Sequence, residues 1–429
     1  MSSDASPAPA AGPGNKRQAA MPFIMLTVLI DMVSIGLIIP VLPALVGTFT
    51  SSPAEQAHWY GVVAFAFGIA SFFGSPILGG LSDRYGRRPV LLLGFSGLAL
   101  SFFVTAVATA LWMLIAVRLV AGALMANAAV ANAYVADITP PDQRAKRFGM
   151  LGAMFGLGFI LGPVMGGLLG SVDLRLPFFA AGALAVINWL YGFFVLPESL
   201  PRERRHAFEW RKANPVGSLK ALGQLHGVGA LVVVIGLSSL AQFILHTTWV
   251  LYTQMKFGWG PKENGWSLFA VGLMSALVQG FLVGKLQKRW SAQRLAVLGL
   301  VSSTFCYALW GAASEGWMMY AIIFMNVLGF CVQAAIQSLV SNAADPRTQG
   351  QAMGAVASLN SMMAVIAPVI GPSLLGFVSH LPAGDWRIGA PYYFCAALQG
   401  LATVVAARHF LRARRLRNAA APVAAGPTP

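Results

Sequence analysis

GGLSDRYGRRPVLLL, residues 79–93, sets one acid and three arginines between two long apolar runs. Its opening returns later in the chain: GGLSDRY at 79–85 matches GKLQKRW at 284–290, an offset of 205 residues. GPVMG (162–166) and APVIG (367–371) share that offset. Two independent matches at one offset argue for duplication. Outward from each match the chain is a succession of apolar runs separated by short polar ones. A membrane span needs about 20 mostly apolar residues. Hydropathy predicts twelve, at 22–46, 58–80, 90–109, 111–135, 148–170, 176–196, 229–254, 263–285, 293–312, 316–341, 350–377 and 389–411. The longest polar interval, 197–228, divides six from six. The predicted organisation is a disordered N-tail (1–21), a six-helix bundle (22–196), a linker (197–228), a second six-helix bundle (229–411) and a C-tail (412–429). The fold class is an all-α polytopic membrane protein of two six-helix pseudo-repeats. In transporters built this way the ligand binds between the halves near the midplane.

Composition agrees. Of 429 residues, 57% are hydrophobic and 10% charged, against roughly 45–50% and about 25% in soluble proteins. That excludes an ordinary soluble enzyme. The 46 glycines and 25 prolines do not imply disorder at this hydrophobicity. A β-barrel would show alternation in runs of about ten residues. A net charge of +15 would suggest nucleic acid in a soluble protein, but its distribution excludes that partner. Of the 29 Lys and Arg, 24 fall in the tails and the connections on their side, four on the opposite side, and Arg118 inside a helix. By the positive-inside rule both termini are cytoplasmic, and the basic surface meets anionic lipid. Cys306, Cys331 and Cys395 lie in apolar stretches, so neither a disulfide framework nor a metal site is expected. No cleavable signal peptide is expected either.

Polar residues inside the spans are the candidates for function. Among 14 Asp and Glu, only Asp31 lies well within a predicted helix. It stands about eight residues from the cytoplasmic end, roughly 12 Å deep. An intramembrane charge is costly and marks function by default. Thr27 and Ser34, at i−4 and i+3, give Asp31 a polar face. Pairing with a cytoplasmic arginine is the plainer alternative. Arg118 is the sole cation well inside a predicted span, away from its ends. It lies nearer the outer end, so depth argues against a direct pair with Asp31. Its candidate roles are proton-path tuning or contact with an anion; holding backbone carbonyls is the alternative.

Ser239, Gln242, His246, Trp249 and Thr253 share one face of the seventh helix, and Asn326, Gln333 and Gln337 one face of the tenth. A polar face in hydrocarbon needs water, ligand or another helix. Gln279, Asn132 and Asn360 are further cavity candidates. Asn188 reads as packing. GPVMGGLLG lacks the Lys-Ser/Thr of a phosphate loop, and no nucleophile constellation suggests catalysis. Energy is then expected from an ion gradient, with no cofactor and no metal.

GGLSDRYGRRPVLLL resembles the loop 2–3 signature of the major facilitator superfamily, and RLVAG (118–122) its helix-4 signature. GFILGPVMGG (158–167) resembles the helix-5 signature of its drug/proton antiporters. LIDMVSIGLIIPVLP (29–43) and RLVAGALMANAAVANAYVADIT (118–139) resemble the tetracycline-efflux branch. The resemblance implies the major facilitator fold in a bacterial inner membrane, a monomer, and a cavity lined by helices 1, 4, 7 and 10. It implies proton coupling at Asp31 and Arg118. It also implies a conformational latch at the loop, formed by Asp83, Arg84, Gly86, Arg87, Arg88, Asp137 and Arg144 and holding the two halves together. Helix 5, with Gly158, Gly162, Pro163, Gly166 and Gly167, is the implied hinge that seals one face.

The chain departs from the tetracycline pumps at two positions. Ser101 and Ser303 stand where that branch carries acids in helices 3 and 9. A magnesium–tetracycline chelate needs oxygen-rich, charge-matched contacts, so tetracycline itself is disfavoured as substrate. The expected function is proton-coupled export of a small amphipathic organic compound. Import of a metabolite on the same fold, or a non-transporting receptor, are the alternatives.

Overall fold

The computed structural model describes residues 13–125, 127–208, 229–343 and 349–420. Residues 209–228 of the expected linker and 421–429 of the C-tail lie outside them. Every element among the described residues is helical. Among the described residues eleven helices are long and apolar enough to cross a membrane, and a bent pair makes the twelfth. In the first half they are Met21–Gly47, Pro53–Tyr85, Arg87–Val107, Leu111–Ile138, Lys146–Val172 and Leu176–Phe194. In the second they are Gly229–Phe257, Pro261–Arg289, Ala292–Ala312, Gly316–Met325 with Gly329–Val340, Met353–Val378 and Trp386–Arg412. The first helix begins at Pro13, inside the stretch expected as tail, and the last runs on to Ala420.

Local sequence explains several boundaries. The second span starts on Ser52-Pro53. The Ser52 hydroxyl accepts from the Glu55 N–H at 3.2 Å, and the Glu55 carboxylate accepts from the Ser51 N–H at 2.8 Å. The first is an N-cap bond, the second ties the residue before the cap to the same glutamate, and proline is the first helical residue. The eighth span opens on its counterpart: Pro261 leads, and Glu263 accepts from the Gly260 N–H at 2.9 Å. Between the second and third spans Gly86 holds φ at +110°, a conformation that side-chain-bearing residues avoid.

Three irregularities were not visible in hydropathy. The fourth span is two helices, Leu111–Ala123 and Asn127–Ile138. The tenth is bent by 53° between Met325 and Gly329. These breaks occupy corresponding places in the two halves. The eighth span carries a π-turn at Val278–Leu282, a feature frequent at functional sites.

The halves meet along two seams, the second span on the eleventh and the fifth on the eighth. A methyl at Gly61 would stand 2.8 Å from the Pro368 carbonyl oxygen, and one at Gly167 would stand 2.5 Å from that of Pro261. Such close backbone approach is what small residues permit in membranes. All of these contacts lie at the end away from the termini. At the end that carries the termini, a Cβ added to Gly149, Gly152, Gly280 or Gly354 meets nothing within 4 Å. The seams are closed at one end and parted at the other.

Candidate functional site: a central cavity and two buried charges

Parting of the seams leaves a cavity of about 1170 Å³ between the halves. Eight of the predicted cavity residues line it: Gln242, His246, Trp249, Gln279, Asn326, Gln333, Gln337 and Asn360. All eight come from the second half. The first half contributes Ile39 and one face of the fifth span, from Gly149 to Pro163. The expected lining by helices 1, 4, 7 and 10 is therefore corrected. The fifth and eighth spans take the places expected of the first and fourth, because the first-half polar residues turn inward.

Among the described residues the polar part of the lining is amide and aromatic, with no Asp, Glu, Lys or Arg. Trp249 stands edge-on to Trp310 at 5.3 Å, and Tyr307 stacks on Trp310 at 5.7 Å. The Trp249 indole N–H donates to Ser267 Oγ at 2.9 Å. Asn360 accepts from Ser239 Oγ at 2.6 Å, and Gln279 donates to Ser275 Oγ at 2.6 Å. Asn326 sits at the tenth-span break and accepts from Ser302 Oγ at 3.3 Å. Gln333 and Gln337, by contrast, are exposed to the cavity, and their amides are free to meet a ligand. Ser303 also lines the cavity, whereas Ser101 is buried in the third span away from it.

Asp31 lies outside this cavity, 4% exposed. Both its oxygens accept from the Asn127 side-chain amide, at 3.0 and 3.2 Å. Asn127 is the first residue after the break in the fourth span, so the break aims its amide at the acid. Gly94 makes room: a Cβ there would overlap the Asn127 amide oxygen. Thr27 and Ser34 are buried beside the acid rather than in the cavity, a second correction. Ser34 Oγ donates to the Ile30 carbonyl at 2.7 Å, and Asn188 donates to the Thr27 carbonyl at 2.9 Å. A polar stripe can face a neighbouring helix as readily as a cavity. Asn132 is exposed but also outside the lining; it donates to the Ala128 carbonyl at 2.8 Å. No ion pair joins Asp31 to Arg118 among the described residues. Arg118 lines a separate cavity.

Sequence reading missed Asn127 and Gly94. The stretch ANAAVANA offers two asparagines, and the deeper of them, Asn127, meets the acid. Leucine at Gly94 is expected to displace Asn127 and destabilise the protein by about 1–3 kcal/mol, the usual cost of overpacking. Thermal unfolding of the Gly94→Leu variant checks this; an unchanged melting temperature would contradict the packing.

The charged loop forms a network, but within the first half. Arg87 Nη1 pairs with Asp83 at 2.6 Å and Arg87 Nε with Asp137 at 3.0 Å. Ser199 Oγ donates to Asp137 at 3.2 Å. Glu198, which sequence reading also missed, accepts from the Arg87 and Arg88 N–H groups at 2.9 and 3.2 Å. It supplies the anion that a helix N-terminus favours. Arg88 reaches the carbonyls of Gly192 and Phe193, and Arg84 lies over the Tyr85 ring. Arg144 turns back to the Thr139 and Ala136 carbonyls. The expected latch between halves is thus absent from these contacts. The seam is parted at this end, and no second-half residue among the described ones joins the network.

The fifth span packs Gly158, Gly162 and Gly166 on the first span, at Met32, Gly36 and Leu37. Gly167 faces Pro261, and the Pro163 carbonyl stands 2.5 Å from where a Cβ of Gly265 would be.

The family model of the Major Facilitator Superfamily matches residues 24–368. The "Tetracycline resistance protein, class C" of Escherichia coli is 36% identical over 379 residues, covering 88% of this chain and 95% of that protein. The class D protein of Salmonella ordonez is 33% identical, covering 85% and 92%. Among solved structures, a nucleoside transporter, NupG, superposes with a TM-score of 0.74 at 15% identity, covering 91% of this chain and 99% of that one. At that identity the likeness speaks for the fold alone.

Proposed function

The chain belongs to the Major Facilitator Superfamily, within its tetracycline-efflux-like branch, and from that premise we propose that it is a proton-coupled exporter of a small amphipathic aromatic compound. The observation that carries this reading is the cavity between the halves. It is large enough for a drug-sized ligand, and among the described residues its walls offer aromatic faces and unpaired amides without a fixed charge. Such a lining favours a planar, net-uncharged molecule with several hydrogen-bonding groups. It does not suit a magnesium–tetracycline chelate, and Ser303 occupies the wall where the tetracycline pumps carry an acid.

The energy source in this reading is the proton gradient, not a bound cofactor. Asp31 is the coupling group. Ionised, it is a charge at membrane depth with one amide for company; protonation removes that charge. The acid and the cargo occupy different places, so they influence each other through the state of the helices. The protein works as a monomer in the inner membrane with both termini cytoplasmic. The parted end then faces the cytoplasm, where an exporter collects its cargo.

Accumulation assays in bacterial cells lacking their own drug pumps test the reading. Cells expressing the protein are expected to hold less of a neutral aromatic amide such as chloramphenicol, and to hold tetracycline at the control level. Gln333→Ala and Gln337→Ala each remove a hydrogen bond worth about 0.5–1.5 kcal/mol, so each should raise the half-saturating drug concentration about two- to tenfold. Unchanged accumulation across neutral, cationic and anionic aromatics would overturn the proposal.

A further inference from the structure

A second cavity, of about 420 Å³, lies between the first, second and fourth spans of one half and the seventh and eleventh of the other. Among the described residues Arg118 is its sole charged wall residue. Its side chain is buried, 6% exposed, and both Nε and Nη2 lack a hydrogen-bond partner. The mechanism proposed above makes no use of it. A buried cation without counter-charge is among the costliest arrangements a protein can hold. The usual remedy is a carboxylate from the same chain. Asp31 does not supply it, being bonded to Asn127 and absent from this lining.

The rest of the wall fits an external counter-ion. Tyr60, Ser71 and Ser75 bring hydroxyl groups, with the two serines one helical turn apart. Thr247 and Ser361 are already committed to the carbonyls of Phe243 and Ala357. Around these polar groups stand Ile35, Ile38, Val63, Phe67 and Met125. We infer that this cavity is an anion site, in which the Arg118 guanidinium binds the carboxylate of a small organic acid and the apolar wall takes its body. A guanidinium offers two parallel N–H groups matched to a carboxylate, and the two unpartnered nitrogens are such donors. The volume and apolar wall favour a carboxylate with a hydrocarbon body over a bare halide. The carboxylate belongs either to a transported compound or to an acid held in place.

The test uses purified full-length protein in lipid nanodiscs, with benzoate as probe and benzamide as its neutral isostere. Calorimetric titration is expected to detect benzoate, and saturating benzamide, which suits the uncharged first cavity instead, is expected not to displace it. Arg118→Gln is expected to weaken benzoate about tenfold or more, the loss of charge-assisted hydrogen bonds. Gln333→Ala, in the other cavity, is expected to leave it unchanged. If Arg118→Gln fails to fold, Ser71→Ala/Ser75→Ala serves instead and should weaken benzoate about threefold or more. Labelled benzoate in proteoliposomes separates the two sources: movement across the membrane identifies a cargo carboxylate, and binding without movement a resident acid. Absence of benzoate binding to the wild type overturns the site. Equal affinity in Arg118→Gln, or in the double serine variant where that is the one that folds, does the same.

Discussion

Cysteines placed at Ala57 and Gly376 are expected to form a disulfide and to stop transport until it is reduced. Ala57 lies in the second span, and its side chain is fully buried in the core of the second half. A Cβ built on Gly376 of the eleventh span stands 3.9 Å from the Ala57 Cβ. Disulfides have Cβ atoms about 3.5–4.5 Å apart, so this pair needs no backbone movement. The three native cysteines are buried and do not compete. The bond would tie the halves together at their closed end. A transporter that works by rocking its halves cannot then open that end. Efflux by Ala57→Cys/Gly376→Cys should fall to the level of empty vesicles under oxidant and recover with reductant. Full transport by a demonstrably cross-linked protein would show that this seam does not open during the cycle.

The second large effect is expected at Asp31. Asp31→Asn keeps the shape and accepts the same kind of hydrogen bond from Asn127, but it cannot exchange a proton. The variant should fold, bind drug with an affinity close to wild type because Asp31 lies outside the cavity, and fail to drive drug against a gradient. Drug binding measured in detergent separates this from simple misfolding. Loss of binding together with loss of transport would place the acid in the drug site instead.

The span count was legible in the sequence because it rests on composition over many residues. Asp31 stood out for a similar reason, since one acid in a long apolar run needs no partner to be noticed. Its surroundings were less legible. Thr27 and Ser34 share its face of the helix, and periodicity gives that face without saying what lies opposite. The structure puts Asn127 and Asn188 there. The stripes on the seventh and tenth helices obeyed the same rule and do face the cavity, except Thr253, which is buried and donates to Asn264 Oδ1 at 2.7 Å. What separates the two cases is the packing of neighbouring helices, which one helix's sequence does not carry.

The breaks in the fourth and tenth spans escaped for another reason. LMANAAV and MNVLGF remain apolar across the interruption, so hydropathy runs through it. Both breaks bring an asparagine to a special place, Asn127 to the acid and Asn326 to the cavity wall. The loop network shows a further limit. Asp83, Arg87 and Asp137 were identifiable as a charged cluster, but the sequence does not say which helices they tie together. With the seam parted at this end, Glu198 and Ser199 complete the network from within the first half.

Proton movement measured against drug movement tests the central claim most directly. Purified protein would be placed in proteoliposomes with an imposed pH gradient, and lumenal pH followed as a neutral aromatic drug is added. The account predicts that drug addition dissipates the gradient with wild-type protein and leaves it intact with Asp31→Asn. Drug accumulation without proton flux, or proton release by Asp31→Asn equal to wild type, would contradict it.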